Sequence, residues 1–130
     1  MSHYPYSSEY SPAAPVLEIT LGAPGTPPTL GPLEAFVDTG ADATLIPMKY
    51  LRQIGARKVD QATLRSQWGE RRPVSLYAVA VEISQHRFAA MWVVGDEIGN
   101  GVLLGRNVLN RLRLLLDGPA AMTEVLDGPA

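Results

Sequence analysis

The stretch Phe36-Val37-Asp38-Thr39-Gly40-Ala41-Asp42-Ala43-Thr44-Leu45-Ile46-Pro47 decides how this chain is read. Phe36 and Val37 close an apolar run, Asp38 follows at once, and Thr39 and Gly40 are turn formers. An apolar strand therefore delivers one carboxylate onto a hydroxyl-bearing, glycine-pivoted turn. Thr39 offers a hydroxyl that can bond to a facing loop, and Gly40 lets backbone or ligand approach with no side chain between them. By average residue usage, two apolar residues followed by Asp, Thr or Ser, and Gly arise by chance in roughly one chain in a hundred of this length. The motif is thus moderately specific, and a plain strand-ending turn competes with it. No second segment of this kind exists in the chain. Chemistry that needs two such carboxylates needs two copies of the protein.

Outward from this stretch, short apolar runs alternate with turn signals, the pattern of a mostly β domain. Val16 to Leu21 reads as a first strand, the Gly/Pro-rich stretch 22–32 as a loop, and Leu33 to Val37 as the strand aimed at Asp38. Pro47 suits a first helical position and Gly55 a helix stop, which predicts a short helix between them. Val59 to Ser66 and Arg72 to Ile83 flank a polar tip, Gln67-Trp68-Gly69-Glu70-Arg71, and form a hairpin whose second arm alternates Tyr77, Val79, Val81 and Ile83 with its neighbours. A second hairpin turns at Ser84 to Arg87 and returns through Val94. Gly95 to Gly101 is a loop, and Val102 to Leu109 is an apolar run broken by Gly105 before a short helix. Leu-Asp-Gly-Pro-Ala occurs at 116–120 and again at 126–130, too little for a repeat architecture. A hairpin of Leu112–Leu116 against Met122–Leu126 is the better reading. Residues 1–15, rich in Ser, Pro, Tyr and Ala, are expected to be a flexible tail, and 16–130 a single domain.

At 130 residues and 46% apolar content the chain can bury one core. Eleven basic and thirteen acidic residues leave a net charge of -2, and no basic run is longer than Arg71-Arg72, so the footprint of a nucleic-acid binder is missing. The absence of cysteine removes disulfides, thiol catalysis and cysteine-ligated zinc, and suits a reducing compartment. His3 and His86 are the only histidines, which leaves little material for a histidine metal site or a Ser-His-Asp triad. No leader pattern and no apolar run of membrane-spanning length occurs, so a cytoplasmic protein with no membrane partner is expected.

Two carboxylates a few ångströms apart do not readily ionise together. The charged one takes a proton from an attacking water, while the protonated one polarises the scissile carbonyl and then protonates the leaving amine. This division of labour is the established chemistry of aspartic proteases, and its titration belongs to the pair. Ala41 adds no further donor beside it, so the working pH is expected to be less acidic than where a serine stands at that position.

A second signal stands about 65 residues downstream: Val102-Leu103-Leu104-Gly105-Arg106-Asn107. Together with Asp38-Thr39-Gly40, in order and spacing over roughly residues 16 to 116, it resembles the retropepsins, the single-domain homodimeric aspartic proteases of retroviruses and their cellular and bacterial relatives. The resemblance implies an all-β, closed barrel-like acid protease fold with one or two short helices. It also implies a symmetric homodimer and cleavage of peptide or protein substrates by an Asp38 dyad, with no metal or organic cofactor. It places Gly105, Arg106 and Asn107 behind the catalytic loop, with Arg106 paired to Asp42. The hairpin tipped by Gln67, Trp68 and Gly69 falls where the family carries its flap, although the viral tip is richer in glycine. Trp68 either covers the cleft or packs on its own hairpin. Ala41, Ile46, Trp68 and Val102 are the candidate subsite residues, and the C-terminal hairpin could supply much of the dimer sheet. The rival readings are a catalytically silent dimerisation or peptide-binding module, and an Asp38/Asp42 loop for a hard cation, which the apolar approach of Phe36-Val37 disfavours. Phosphoryl transfer through an aspartate has no phosphate-cradling loop to support it.

Overall fold

The computed structural model describes residues 2–127. Ten strands and two short helices follow one another along the chain. They are β1 (Ser2–Pro5), β2 (Val16–Gly22), β3 (Leu30–Val37), β4 (Leu45–Pro47), α1 (Met48–Gln53), β5 (Arg57–Arg65) and β6 (Arg71–Ile83), then β7 (His86–Asp96), β8 (Val102–Leu104), α2 (Arg106–Leu109), β9 (Leu114–Asp117) and β10 (Met122–Val125). The larger sheet runs β2-β3-β8-β4-β7-β6-β5, and an additional β2–β6 pairing closes its first six strands into a barrel. The fold is the all-β, closed-barrel type expected of retropepsin-like proteins.

Closure depends on the length of β6. Its C-terminal part pairs with β2 through Ala80, Val81 and Glu82, while residues from Arg71 to Ala78 pair with β5, and the part from Arg71 to Ser75, paired with β5 alone, stands out from the barrel as a hairpin. Alternation along the strands fills the barrel. Leu17, Ile19, Leu21, Val79, Val81, Ile83, Val93 and Leu104 are all essentially inaccessible, and full burial of each such side chain contributes about 1.5–3 kcal/mol. The α1 helix starts at Met48, with Pro47 as its N-cap residue and not its first helical one, and Leu51 fixes it to the core.

Two regions differ from the sequence expectation. β3 begins at Leu30, not Leu33, because Leu30 pairs with Leu21 across a register shift in β2, so the preceding loop is shorter than its Gly/Pro content suggested. Residues 2–14 depart from the expected flexible tail. β1 pairs antiparallel with β10, Tyr6 N–H donates to the Ala121 carbonyl (2.8 Å), and Ser7 and Ala14 exchange both backbone bonds at 2.8 and 3.1 Å. Main-chain pairing needs no apolar side chains, which is why composition misread this segment. Ser7 and Ala14 are both buried, and Tyr4 packs against the core. The C-terminal hairpin forms as β9 and β10, giving a small sheet in the order β1-β10-β9. The end of the second Leu-Asp-Gly-Pro-Ala copy lies outside the described residues. No helix of the described residues is long and apolar enough to cross a membrane.

Candidate active site

Asp38 sits one residue beyond β3, where its N–H still donates to the Leu104 carbonyl of β8 (3.1 Å), so the parallel β3–β8 ladder carries it into place. The chain then turns: Ala41 N–H donates back to the Asp38 carbonyl (3.2 Å), and Gly40 N–H donates to Asp38 Oδ1 (3.0 Å). One carboxylate oxygen is thereby oriented by the loop. Asp38 is half-buried, while Thr39 and Gly40 are exposed.

The turn is held from behind by the start of α2. Arg106 N–H donates to the Ala41 carbonyl (2.8 Å), Arg106 Nη1 donates to the Thr39 carbonyl (2.9 Å), and Arg106 Nη2 bonds Asp42 Oδ1. Asp42 is 85% exposed, so solvent screens the ion pair, and the two bonds to loop carbonyls do more to set its shape. Gly105 packs so closely on Ala43 that a Cβ there would overlap the Ala43 carbonyl. Asp42, Gly105, Arg106 and Asn107 thus all meet behind the Asp38 loop. Asp42 points to Arg106, not into a shared cation loop with Asp38.

A residue that the sequence reading passed over completes this support. Thr44, 1% exposed, accepts from Gly105 N–H (3.0 Å) and donates to Asn107 Oδ1 (2.8 Å), while Asn107 Nδ2 donates to the Trp92 carbonyl (2.9 Å). The Thr44 carbonyl accepts from Val94 N–H (2.8 Å). A hydroxyl within the apolar run Ala43 to Pro47 was the available signal, since a buried hydroxyl demands partners.

The expected subsite residues are largely displaced. Ile46 is fully buried and Val102 is 3% exposed, both in the barrel core. Their strand neighbours Leu45 and Leu103 are half-buried and point to the opposite face. Leu45 lines a cleft of about 390 Å³, bounded also by Met48, by Leu64, Arg72 and Val74 of the β5–β6 hairpin, and by the loop at Asp96 to Ile98. Ala41 is half-buried in the Asp38 turn and lies outside this cleft. At the hairpin tip, Ser66 N–H donates to the Glu70 carbonyl (2.8 Å), Ser66 Oγ accepts from Trp68 and Glu70 N–H (both 3.2 Å), and Gly69 adopts the left-handed φ of 84° that the turn requires. Gln67, Trp68 and Gly69 line no part of the cleft. Trp68 is 82% exposed, so it neither covers the cleft nor packs on its own hairpin.

The family profile described as "gag-polyprotein putative aspartyl protease" matches residues 31–111, which include both the Asp38 loop and the Gly105-Arg106-Asn107 support. This chain is a member of the retropepsin-like aspartic protease family. Solved structures agree at the level of the fold. A retropepsin-like aspartic protease from Rickettsia conorii superposes with a TM-score of 0.63 at 13% identity, over 94% of this chain and 86% of that one. EIAV protease complexed with the inhibitor HBY-793 superposes with a TM-score of 0.57 at 18% identity, over 82% of this retropepsin-like chain and 92% of the viral one. The aspartic proteinase from Irpex lacteus gives 0.56 at 14% identity, over 95% of this chain but 46% of its own. No curated protein sequence matches the chain.

Proposed function

We propose that this retropepsin-like protein is an aspartic endopeptidase, active as a symmetric homodimer in which each copy contributes Asp38. The observation that carries the reading is the Asp38 turn itself. Its carboxylate is oriented by Gly40 N–H, its main chain is clamped by Arg106, and Thr39 and Gly40 are left exposed for a facing loop. A single chain holds one such carboxylate, and it spans less than half of the Irpex lacteus aspartic proteinase. A second copy supplies the missing half.

In the assembled site one Asp38 is ionised and draws a proton from the attacking water. Its twin, protonated, polarises the scissile carbonyl and then protonates the leaving nitrogen. Fixing both carboxylates before substrate arrives removes reorganisation from the barrier. The substrate lies extended between the barrel and the β5–β6 hairpin, which acts as a flap and excludes water on closing. The dimer contact is isologous. The free edge of β9 supports its placement, because the order β1-β10-β9 leaves that strand paired on one side, with Leu115 and Leu116 45% and 43% exposed. The cysteine-free composition favours a reducing compartment such as the cytoplasm.

The test is cleavage of a mixed peptide library between roughly pH 4 and 7 by the wild type and Asp38→Asn, with sedimentation of both; general acid–base groups of this kind contribute about 10²–10⁴-fold. Loss of at least about a hundredfold in a variant that still dimerises is the expected result. A folded wild-type dimer that cuts nothing would sink the proposal in favour of a silent peptide-binding module.

A further inference from the structure

Strand register identifies a row of side chains beside Asp38. Phe36 of β3 pairs with Leu103 of β8, and Leu103 pairs with Leu45 of β4. All three are half-buried, whereas Ala35, Val37, Val102, Leu104 and Ile46, one step away along the same strands, are at most 5% exposed. Successive residues of a strand face opposite sides, so Phe36, Leu103 and Leu45 share the face away from the barrel core. Asp38 lies two residues beyond Phe36. At one end of the row Leu45 opens into the 390 Å³ cleft. At the other, the ring of Tyr10 lies on Phe36 with centroids 5.0 Å apart and planes at 50°.

Tyr10 belongs to the segment that composition marked as a loose tail, and it is held by specific contacts. The Ser7–Ala14 pair of backbone bonds closes the loop around it, Glu9 N–H donates to Ser7 Oγ (3.3 Å), and Val37 N–H donates to the Pro15 carbonyl (3.1 Å) immediately before Asp38. The loop is therefore closed on itself through Ser7 and Ala14 and tied through Pro15 to the strand that carries the carboxylate. Tyr10 remains 40% exposed, so one part of its ring is spent on Phe36 and the rest is open.

We propose that Tyr10 is a specificity-determining residue: the N-terminal segment walls the apolar row beside Asp38 and selects a large apolar or aromatic substrate side chain next to the cleaved bond. The inference rests on the protease reading and adds to it the residue of the N-terminal segment that sets the preference. An aromatic side chain laid on Phe36 and Leu103 meets the Tyr10 ring at its edge, an arrangement that aromatic pairs favour. A small side chain leaves that contact unmade. On this reading, removing the N-terminal segment takes a wall from the site as well as β1 from the small sheet.

The experiment compares full-length wild type, Tyr10→Phe, Tyr10→Leu and Tyr10→Ala. Two readouts are used: the preference for Phe over Ala beside the cleaved bond in a peptide library, and the affinity for two uncleavable hydroxyethylene peptides that differ only by Phe or Ala there. The Phe/Ala ratio is expected to fall about three- to tenfold in Tyr10→Ala, less in Tyr10→Leu, and to be kept by Tyr10→Phe. Thermal unfolding confirms that each variant is folded, and Tyr10→Leu keeps apolar packing if Tyr10→Ala does not fold. An equal loss for both peptides, or none, overturns the role of Tyr10. If wild type binds the Phe peptide and cuts nothing, the protease reading fails while the affinity ratio still tests Tyr10. Failure to bind either peptide overturns both.

Discussion

The Asp38 turn and the tip of the β5–β6 hairpin are both short polar loops, yet they are held in different ways. The Asp38 turn is fastened from outside: β8 receives its first N–H, Arg106 grips two of its carbonyls, and the bond from buried Thr44 to half-buried Asn107 locks the strand that leaves it. The hairpin tip is fastened only to itself, through Ser66, and carries Trp68 into solvent. Groups that must keep a fixed separation are set on the first kind of loop. Segments that must open and close are drawn from the second, where few buried contacts resist motion.

Three single substitutions and one double can break this contrast. The largest effect is expected from Gly105→Ala, whose new methyl would strike the Ala43 backbone; overpacking against main chain that cannot yield costs about 3 kcal/mol. Urea unfolding that shifts by much less would mean that the support behind Asp38 is soft. Thr44→Val comes next. It keeps the shape but strands Gly105 N–H and an Asn107 oxygen, with a cost of about 1–3 kcal/mol. A double substitution with Asn107→Ala should be less than additive, because the two residues share one network. The smallest effect belongs to Trp68→Ala, below about 0.5 kcal/mol in stability, since exposed side chains away from special features contribute little. On the proposed flap role, in which closure of the hairpin brings Trp68 onto bound peptide, its consequence should appear in KM alone. Were Trp68→Ala to destabilise the fold as much as Thr44→Val, the hairpin tip would not be the loosely held element described here.

Legibility in the sequence followed the same division. Asp38 could be picked out because a carboxylate ends an apolar run before a turn, whereas Gly105 and Arg106 were found through the resemblance of Leu103-Leu104-Gly105-Arg106-Asn107 to the second motif of the family. Ile46 and Val102 were misplaced for the opposite reason. In the runs Leu45-Ile46 and Val102-Leu103-Leu104 every residue is apolar, so nothing local tells the core face from the cleft face; register with β3 and β7 decides it. Thr44 was overlooked because its partners lie 61 and 63 residues away.

The sequence by itself determined the β architecture, the short helices and the hairpin positions, since turn chemistry and apolar periodicity are local properties; the pairing of the Asp38 loop with a Gly-Arg-Asn support came from the resemblance to the retropepsins. The tertiary structure decided which side of each strand faces the barrel core, that Thr44 joins the support, and that residues 2–14 are built into the fold beside Phe36. Those outcomes depend on register and on backbone hydrogen bonds between distant segments, which side-chain composition does not encode.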